Sequence, residues 1–152
     1  MTRTLTLRIL RLNPGKDRDL PIPAYMSPGA SGLDLPAAID GEIILGPGEI
    51  RLVPTGLALA IPPGYEGQVR PRSGLALKHG ITLVNTPGTV DSDYRGELGL
   101  AIINLGQKPF TIRRGDRLAQ LVLQKVRRAD IQVVQNLDDT ERSDGGFGHS
   151  GV

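Results

Sequence analysis

The chain has 152 residues and a formal net charge of +2, with 20 Gly, 12 Pro, three Tyr, two Phe, no Trp and no Cys. A chain of this length forms one domain with a core of its own, and the lack of cysteine excludes disulfides, thiol nucleophiles and cysteine-ligated zinc. Because basic residues are scattered and aromatic side chains are few, we expect no nucleic-acid partner, while small anionic ligands remain compatible with the composition.

The amino-terminal residues intersperse Thr and Arg among aliphatic side chains, so they lack the apolar core of a signal peptide. No later stretch is apolar over enough residues to cross a bilayer as a helix. We therefore expect a cytoplasmic protein without a membrane partner.

Short runs rich in Val, Ile, Leu and Thr are separated by Gly and Pro along most of the chain. This pattern is typical of an antiparallel β-sandwich or barrel. The predicted strands are 5–9, 42–45, 50–53, 57–61, 68–70, 81–84, 98–105, 110–112, 118–123 and 131–134, and a further apolar strand begins near Asp34. One helical turn is predicted over 74–79, with Ser73 as its N-cap.

The segment from Asn85 to Gly99 is the most informative part of the chain. It combines turn formers with an acidic pair, Asp91 and Asp93, and with the aromatic Tyr94. The apolar strands on either side predict a long β-hairpin. Such a hairpin would offer a small planar ligand fixed backbone donors and acceptors, with a carboxylate at the rim as a candidate general base.

Three other positions admit a functional and a structural interpretation. Arg72, Ser73 and Gly74 bring together a guanidinium, a hydroxyl and free amides, which suit a phosphate but also a plain capped turn. Gln120 lies among aliphatic residues and faces either solvent or a ligand. Asp34 is either a buried structural carboxylate, which we favour on the residues alone, or a group near a metal.

The tripeptide Arg114-Gly115-Asp116 has the composition of an adhesion motif. In a chain without cysteine that we expect to be cytoplasmic, we interpret it as a tight turn before the following strand. The two histidines, His79 and His149, lie far apart without companion ligands, which disfavours a histidine-based metal site.

The segment 138–152 is polar and rich in glycine, so we expect a mobile tail after a β-domain formed by residues 1–137. Arg142 and Phe147 give this tail a second interpretation, as a lid over a ligand. A guanidinium can pair with phosphate, and stacking of an aromatic ring on a base contributes about 1–3 kcal/mol. A plain disordered tail is the alternative.

Five segments, taken together, carry a stronger signal than any one of them: Ala30–Leu35, Pro71–Leu75, Asn85–Gly96, Arg114–Gln120 and Arg142–Gly148. Their order and spacing resemble those of the trimeric deoxyuridine triphosphate nucleotidohydrolases (dUTPases), from about residue 20 onwards. The resemblance implies an all-β fold, a jelly-roll-like antiparallel barrel or sandwich of the β-clip type, with one short helix and a mobile tail. It also implies a homotrimer with active sites at subunit interfaces.

The activity implied by the resemblance is Mg²⁺-dependent hydrolysis of dUTP to dUMP and pyrophosphate. This reaction removes dUTP from the nucleotide pool and supplies the precursor of dTMP. Asp91 would activate the water that attacks the α-phosphorus, and Tyr94 would lie under the deoxyribose. Asp34 would touch Mg²⁺ only through water. The substrate-binding residues implied in this way are Arg72, Ser73, Gly74, Asn85, Gly88, Thr89, Val90, Tyr94, Gly99, Gln120, Arg142, Phe147, Gly148, His149 and Ser150.

Two tail positions depart from the family pattern. Ser143 and Asp144 replace a small, mostly glycine-led pair, and His149 stands where many relatives have Ser.

The related dCTP deaminases fit less well, because their site is expected to need a Glu and an Arg beside the base and does not use a hairpin bearing Tyr94. A non-catalytic β-sandwich binding or assembly module is the other alternative, although a scaffold has no use for an arginine and an aromatic residue on a glycine hinge.

Overall fold

The computed structural model describes residues 5–148 and residue 151. Within these residues the chain forms β-strands and one short α-helix. The strands are β1 (Arg8–Arg11), β2 (Leu33–Pro36), β3 (Glu42–Leu45), β4 (Ile50–Ala60), β5 (Tyr65–Pro71), β6 (Ile81–Leu83), β7 (Gly88–Val90), β8 (Glu97–Asn104), β9 (Phe110–Arg113) and β10 (Arg117–Lys125), and the helix α1 is Ser73–His79.

The strands pair antiparallel in three sheets, with strand orders β1-β4-β8-β6, β2-β10-β5-β7 and β3-β9. Burial along β8 alternates from residue to residue, as a strand with one face on a core requires. The core is aliphatic and draws on several strands, with Leu35, Leu100, Ile112 and Leu121 almost completely buried. The predicted antiparallel all-β architecture with one short helix is therefore confirmed.

The central hairpin has a feature that the sequence pattern did not predict. β6 pairs with β8, with Ile81 opposite Asn104 and Leu83 opposite Ile102, so the predicted hairpin is confirmed. Between these strands, however, β7 leaves the first sheet and pairs with β5 in the second sheet. The segment after β6 therefore crosses from one sheet to the other, and its backbone lines the space between them.

Three local predictions were wrong. The runs 50–53 and 57–61 belong to one strand, β4, because the register shift between Pro54 and Ala58 and the positive φ of Gly56 (68°) bend the strand without ending it. The helix begins at Ser73, and its N-cap is Arg72, whose extended backbone (φ −93°, ψ 128°) lets the helix start without a side-chain cap.

The third wrong prediction is the strand at 131–134. Among the described residues no strand follows Lys125, and the alternating Ile131 and Val133 are almost fully exposed. A strand needs a neighbouring backbone edge for its hydrogen bonds, and within the described residues the segment 131–134 pairs with no such edge.

The predicted turn at Arg114-Gly115-Asp116 is confirmed, since it joins β9 to β10 with Gly115 at φ 84°. Arg114 does more than form the turn. Its guanidinium donates to the carboxylates of Asp17 and Asp19, at 3.0 and 2.7 Å, and to the carbonyl of Ile39. These contacts, which we call the Arg114 clamp, fix the loop after β1 against the β-sheets.

The charges of the clamp perturb each other's titration. The hydrogen bond from Arg114 lowers the pKa of Asp19 below its ordinary value of 3.8. Hydrogen bonds to Asp19 and Asp17 in turn raise the pKa of Arg114.

Within residues 5–148 and 151, no helix has the length and apolar character needed to span a membrane.

Candidate active site

The first candidate site is a cavity of about 220 Å³ between β7, β8 and the floor provided by β5, which we call the hairpin cavity. The pairing of Val69 with Gly88 and of Gln68 with Thr89 places the β7 backbone along its wall. All the site residues predicted for the central hairpin meet there: Asn85, Gly88, Thr89, Val90, Asp91, Tyr94 and Gly99. Because pockets for drug-sized ligands measure about 300–1,000 Å³, this cavity suits a single ring better than a complete nucleotide.

Glycine at position 88 keeps the cavity wall open. A Cβ atom there would lie 3.1 Å from Nδ2 of Asn85 and 3.4 Å from Cβ of Val69. Any side chain at this position would therefore press on the Asn85 amide, the polar group most suited to recognising a base edge.

Tyr94 is held in one orientation at the rim. Its hydroxyl donates to the carbonyl of Glu97 at 2.9 Å, and its ring lies over Gly96, where a Cβ atom would come within 2.6 Å of Cζ. Glu97 is itself fixed, because its Oε1 accepts the amide of Gly56 at 2.9 Å. Since about half of the Tyr94 side chain is exposed (46%), its ring is available as a flat contact surface.

Asp91 follows β7 directly and lies at the edge of the hairpin cavity with an exposed side chain. Its carbonyl accepts the amide of Tyr94 at 3.2 Å, which closes a turn. Arg95 donates to the carbonyls of Ser92 and Tyr94, at 2.7 and 2.8 Å, and stabilises this turn from outside. The carboxylate of Asp91 is thus carried on a fixed turn beside the cavity and is open to water.

The second candidate site is a cavity of about 460 Å³ along α1, which we call the helix cavity. It brings together the predicted residues Asp34, Arg72, Ser73, Gly74 and Gln120, and also Leu75, Lys78 and His79. Lys78 was missed, because the only signal in the sequence was its position in the predicted helical turn. Two cations and the first amides of α1, which no helical carbonyl can satisfy, make this cavity suitable for an anion.

Gln120 lines the helix cavity, which favours the ligand-facing interpretation of this residue. In β10 it lies opposite Asp34 on one side and Arg70 on the other. Its Nε2 donates to the carbonyl of Pro71 at 3.1 Å. Gly32 leaves room for this side chain, since a Cβ atom at position 32 would lie 3.1 Å from Cβ and Cδ of Gln120.

Asp34 forms an ionic group with two arginines. Arg117 donates from Nη1 to Oδ2 of Asp34 at 2.9 Å, and Nη2 of Arg72 lies 3.7 Å from the same oxygen. Arg72 also donates from Nη1 to the main-chain carbonyl of Arg117 at 2.9 Å. The sequence did not predict the contact of Arg117 with Asp34, because it arises only from the pairing of β10 with β2.

The two cavities share no lining residue, so one chain by itself does not bring the two sets of candidates together. Of the tail candidates that the structure describes, Arg142, Phe147 and Gly148, none lines either cavity. Arg142 donates from Nε to the carbonyl of Gly145 at 2.7 Å, and Phe147 is fully exposed. Gly148 is the last described residue before a gap, and the predicted contacts of His149 and Ser150 lie outside the described residues.

In the tail, Ser143, which with Asp144 replaces the glycine-led pair of the family pattern, adopts a strained backbone conformation. Ser143 has a φ of 47°, in the left-handed region that glycine adopts freely and other residues adopt rarely. A glycine-led pair at this position would take the same turn without strain.

Comparison with known proteins places this jelly-roll-like β-protein in a family. The family model described as dUTPase matches residues 18–151. A deoxyuridine 5'-triphosphate nucleotidohydrolase of Caldanaerobacter subterraneus subsp. tengcongensis is 58% identical over 149 residues, covering 98% of this chain and 99% of that protein. One from Methylocella silvestris is 57% identical over 154 residues, covering 100% and 95%. The chain belongs to the dUTPase family.

Solved structures agree with this assignment. The Staphylococcus bacteriophage 80alpha dUTPase with dUpNHpp has a TM-score of 0.86 and 26% sequence identity, covering 98% of this chain and 100% of that chain. A mutant dUTPase from phage phi11 of S. aureus, which coordinates a structural Mg(II) ion, has a TM-score of 0.75 and 24% identity, covering 86% and 97%. The predicted jelly-roll-like fold is confirmed by these similarities.

Proposed function

We propose that the protein is a dUTP diphosphatase that hydrolyses dUTP to dUMP and pyrophosphate, removing dUTP from the nucleotide pool and supplying the precursor of dTMP. Family membership over nearly the whole chain supports this function. The observation that carries it is the hairpin cavity, where Asn85, Asp91 and Tyr94 lie beside the residues of β7. A cytoplasmic location, where nucleotide pools are maintained, belongs to the same proposal.

Uracil binds in the hairpin cavity, through the Asn85 side chain and main-chain groups at Gly88, Thr89, Val90 and Gly99. A fixed backbone can match only one arrangement of donors and acceptors. Uracil and cytosine invert this arrangement at two edge positions, so cytosine leaves buried polar groups unpaired. Mismatches of this kind can reach about 10⁴–10⁵ in discrimination.

The sugar lies against Tyr94. Because the hydrogen bond to Glu97 and the contact over Gly96 fix the ring, the ring cannot retreat to admit a 2′-hydroxyl. Selection of deoxyribose over ribose therefore follows from the fixed position of the Tyr94 ring.

Asp91 orients and deprotonates the water that attacks the α-phosphorus. The water oxygen forms a bond to phosphorus, the bond to the bridging oxygen of the β-phosphate breaks, and pyrophosphate leaves. General-base assistance contributes typically about 10²–10⁴ in rate. The rest of the acceleration must come from positioning and from neutralisation of phosphate charge.

The triphosphate binds in the helix cavity, through Arg72, Ser73, Gly74 and Gln120. Mg²⁺ fits here, because it commonly binds through substrate phosphates and waters, and Asp34 offers an oxygen for contact through water. When bound, the ion would neutralise phosphate charge. Among residues 5–148 and 151 no group of three His, Cys, Asp or Glu residues is arranged to hold a metal, so the phosphates of the substrate would supply ligands to the ion.

The protein acts as a homotrimer in this proposal. The hairpin and helix cavities are separate within one chain, so a complete site needs cavities from different copies. After β10, Ile131, Val133 and Leu137 are strongly exposed, and an apolar row of this kind calls for cover by another surface. Residues 138–152 then close over a site of the trimer, with Phe147 on the base and Arg142, Gly148, His149 and Ser150 near the phosphates.

The test is pyrophosphate release from dUTP, UTP, dCTP and dTTP, each with and without a chelator. We expect rapid release from dUTP only, and a large loss of rate when the metal is removed. Release of ammonia from dCTP, or equal hydrolysis of dUTP and UTP, would contradict the proposed function.

A further inference from the structure

Arg72 and Arg117 approach one carboxylate oxygen, but at unequal distances. Arg117 Nη1 makes a hydrogen bond of 2.9 Å to Oδ2 of Asp34, whereas Nη2 of Arg72 lies 3.7 Å from the same oxygen. The Asp34 side chain is 15% exposed, against 32% for Arg72 and 43% for Arg117. A carboxylate with so little exposure to water needs a cation close by.

We propose that Arg117 is a positioning residue: it occupies Oδ2 of Asp34 and thereby keeps the guanidinium of Arg72 available for the triphosphate. This inference rests on the proposed function, in which Arg72 binds phosphate. Arg117 itself need not touch the substrate for this role.

A second contact of Arg72 makes the position of its guanidinium depend on the side chain at position 117. Arg72 Nη1 donates to the main-chain carbonyl of Arg117, a group that every substitution at position 117 retains. Arg72 therefore stays beside Asp34 when the Arg117 side chain is removed. A charge-assisted hydrogen bond is about 2.7–2.9 Å long, so a shift of about 1 Å would pair Nη2 of Arg72 with Asp34. Arg72 would then be withdrawn from the substrate.

This role differs from direct phosphate binding in its dependence on Asp34. If Arg117 contacts phosphate, its removal weakens binding whether or not position 34 carries a charge. If Arg117 acts by occupying Asp34, its removal has no consequence once the carboxylate is replaced by an amide. A double-mutant cycle separates the two.

The experiment measures the dissociation constant of the α,β-imido analogue of dUTP by calorimetry, in EDTA so that any contact of Asp34 with Mg²⁺ is absent. The variants are Arg117→Met, Asp34→Asn, the double variant and Arg117→Lys. We expect Arg117→Met to weaken binding about tenfold, and the double variant to bind within about threefold of Asp34→Asn. Arg117→Lys, which retains the charge, should recover most of the affinity.

A matched control is the pair Arg113 and Glu42, joined at 2.7 Å in β9 and β3 and outside both cavities. Arg113→Met removes an arginine from an ion pair of similar length but greater exposure. We expect this variant to bind the analogue with the affinity of the original chain. Arg117→Gln serves as a second truncation should Arg117→Met fold poorly, which thermal unfolding of each variant would reveal.

An equal loss of affinity from Arg117→Met in the original chain and in the Asp34→Asn variant would overturn the inference, and so would no loss in either. These outcomes leave the proposed function intact as long as the original chain hydrolyses dUTP. Failure of the original chain to bind the analogue or to hydrolyse dUTP would overturn both.

Discussion

The position of the Tyr94 ring depends on the absence of a side chain at Gly96. Its hydroxyl is anchored on the Glu97 carbonyl, and its ring fills the place where any Cβ at position 96 would lie. In the proposed site, Gly96 would therefore affect substrate choice without touching the substrate, since the absence of a side chain lets the Tyr94 ring lie back from the cavity.

We predict that Gly96→Ala lowers the preference for dUTP over UTP by about tenfold, because a displacement of about 1 Å in a positioned group can change rates by that much or more. The measurement is the ratio of kcat/KM for the two nucleotides. Gly29→Ala is a matched control, since a Cβ there meets no atom within 4 Å. An unchanged ratio in Gly96→Ala would show that the position of the ring does not govern selectivity.

Asp91→Asn should lower kcat by at least about 10²-fold, because the amide cannot accept the proton of the attacking water. Binding of the α,β-imido analogue should stay close to that of the original chain, since the turn at Asp91 is closed by main-chain atoms. Single-turnover hydrolysis and calorimetry give the two values. Full activity of this variant would remove Asp91 from the mechanism.

At the scale of the elements, the Arg114 clamp couples stability to pH. The pKa of Asp19 is lowered in the folded chain by its hydrogen bond from Arg114. Its contribution to stability is therefore present above its ordinary pKa of 3.8 and is lost as the pH falls through the lower pKa of the folded state.

We predict that Asp19→Asn is less stable than the original chain at neutral pH, and that the two converge as the pH falls below about 4. Urea unfolding at a series of pH values measures the difference. Asp139→Asn, in the tail and outside the clamp, provides the control. A difference in stability that persists undiminished at a pH of about 2 would contradict a role for the ionised Asp19.

The sequence predicted elements where local signals suffice. β3 was predicted with its observed bounds, because apolar residues between turn formers leave little choice over 42–45. The hairpin of β6 and β8 was equally visible from its flanking strands and turn residues. Composition of the central segment also predicted a pocket there, whereas the individual residues of the hairpin cavity came from the resemblance to the dUTPase family.

Three of the failures share a physical cause, which is that pairing between distant segments leaves no local trace. The passage of β7 to the second sheet depends on β5, and the contact of Arg117 with Asp34 joins residues 83 positions apart. The strand predicted at 131–134 has the right periodicity but no partner edge in the described part of its own chain.

For the whole molecule, the proposed function gives the tail and the β-sheets separable tasks, closure of the site and assembly of the trimer. We predict that a chain ending at Leu137 still forms the trimer but hydrolyses dUTP at least about 100-fold more slowly, because it lacks the group that closes the site against water. Light scattering reports the assembly, and pyrophosphate release reports turnover. Undiminished hydrolysis by the truncated chain would exclude the lid role of residues 138–152.

A crystal structure of the protein with the α,β-imido analogue of dUTP and Mg²⁺ tests the proposed mechanism most directly. We expect the uracil ring in the hairpin cavity, paired with the β7 backbone and Asn85, and the Asp91 carboxylate facing a water in line with the α-phosphorus. A base bound elsewhere, or Asp91 turned away from the α-phosphate, would contradict it.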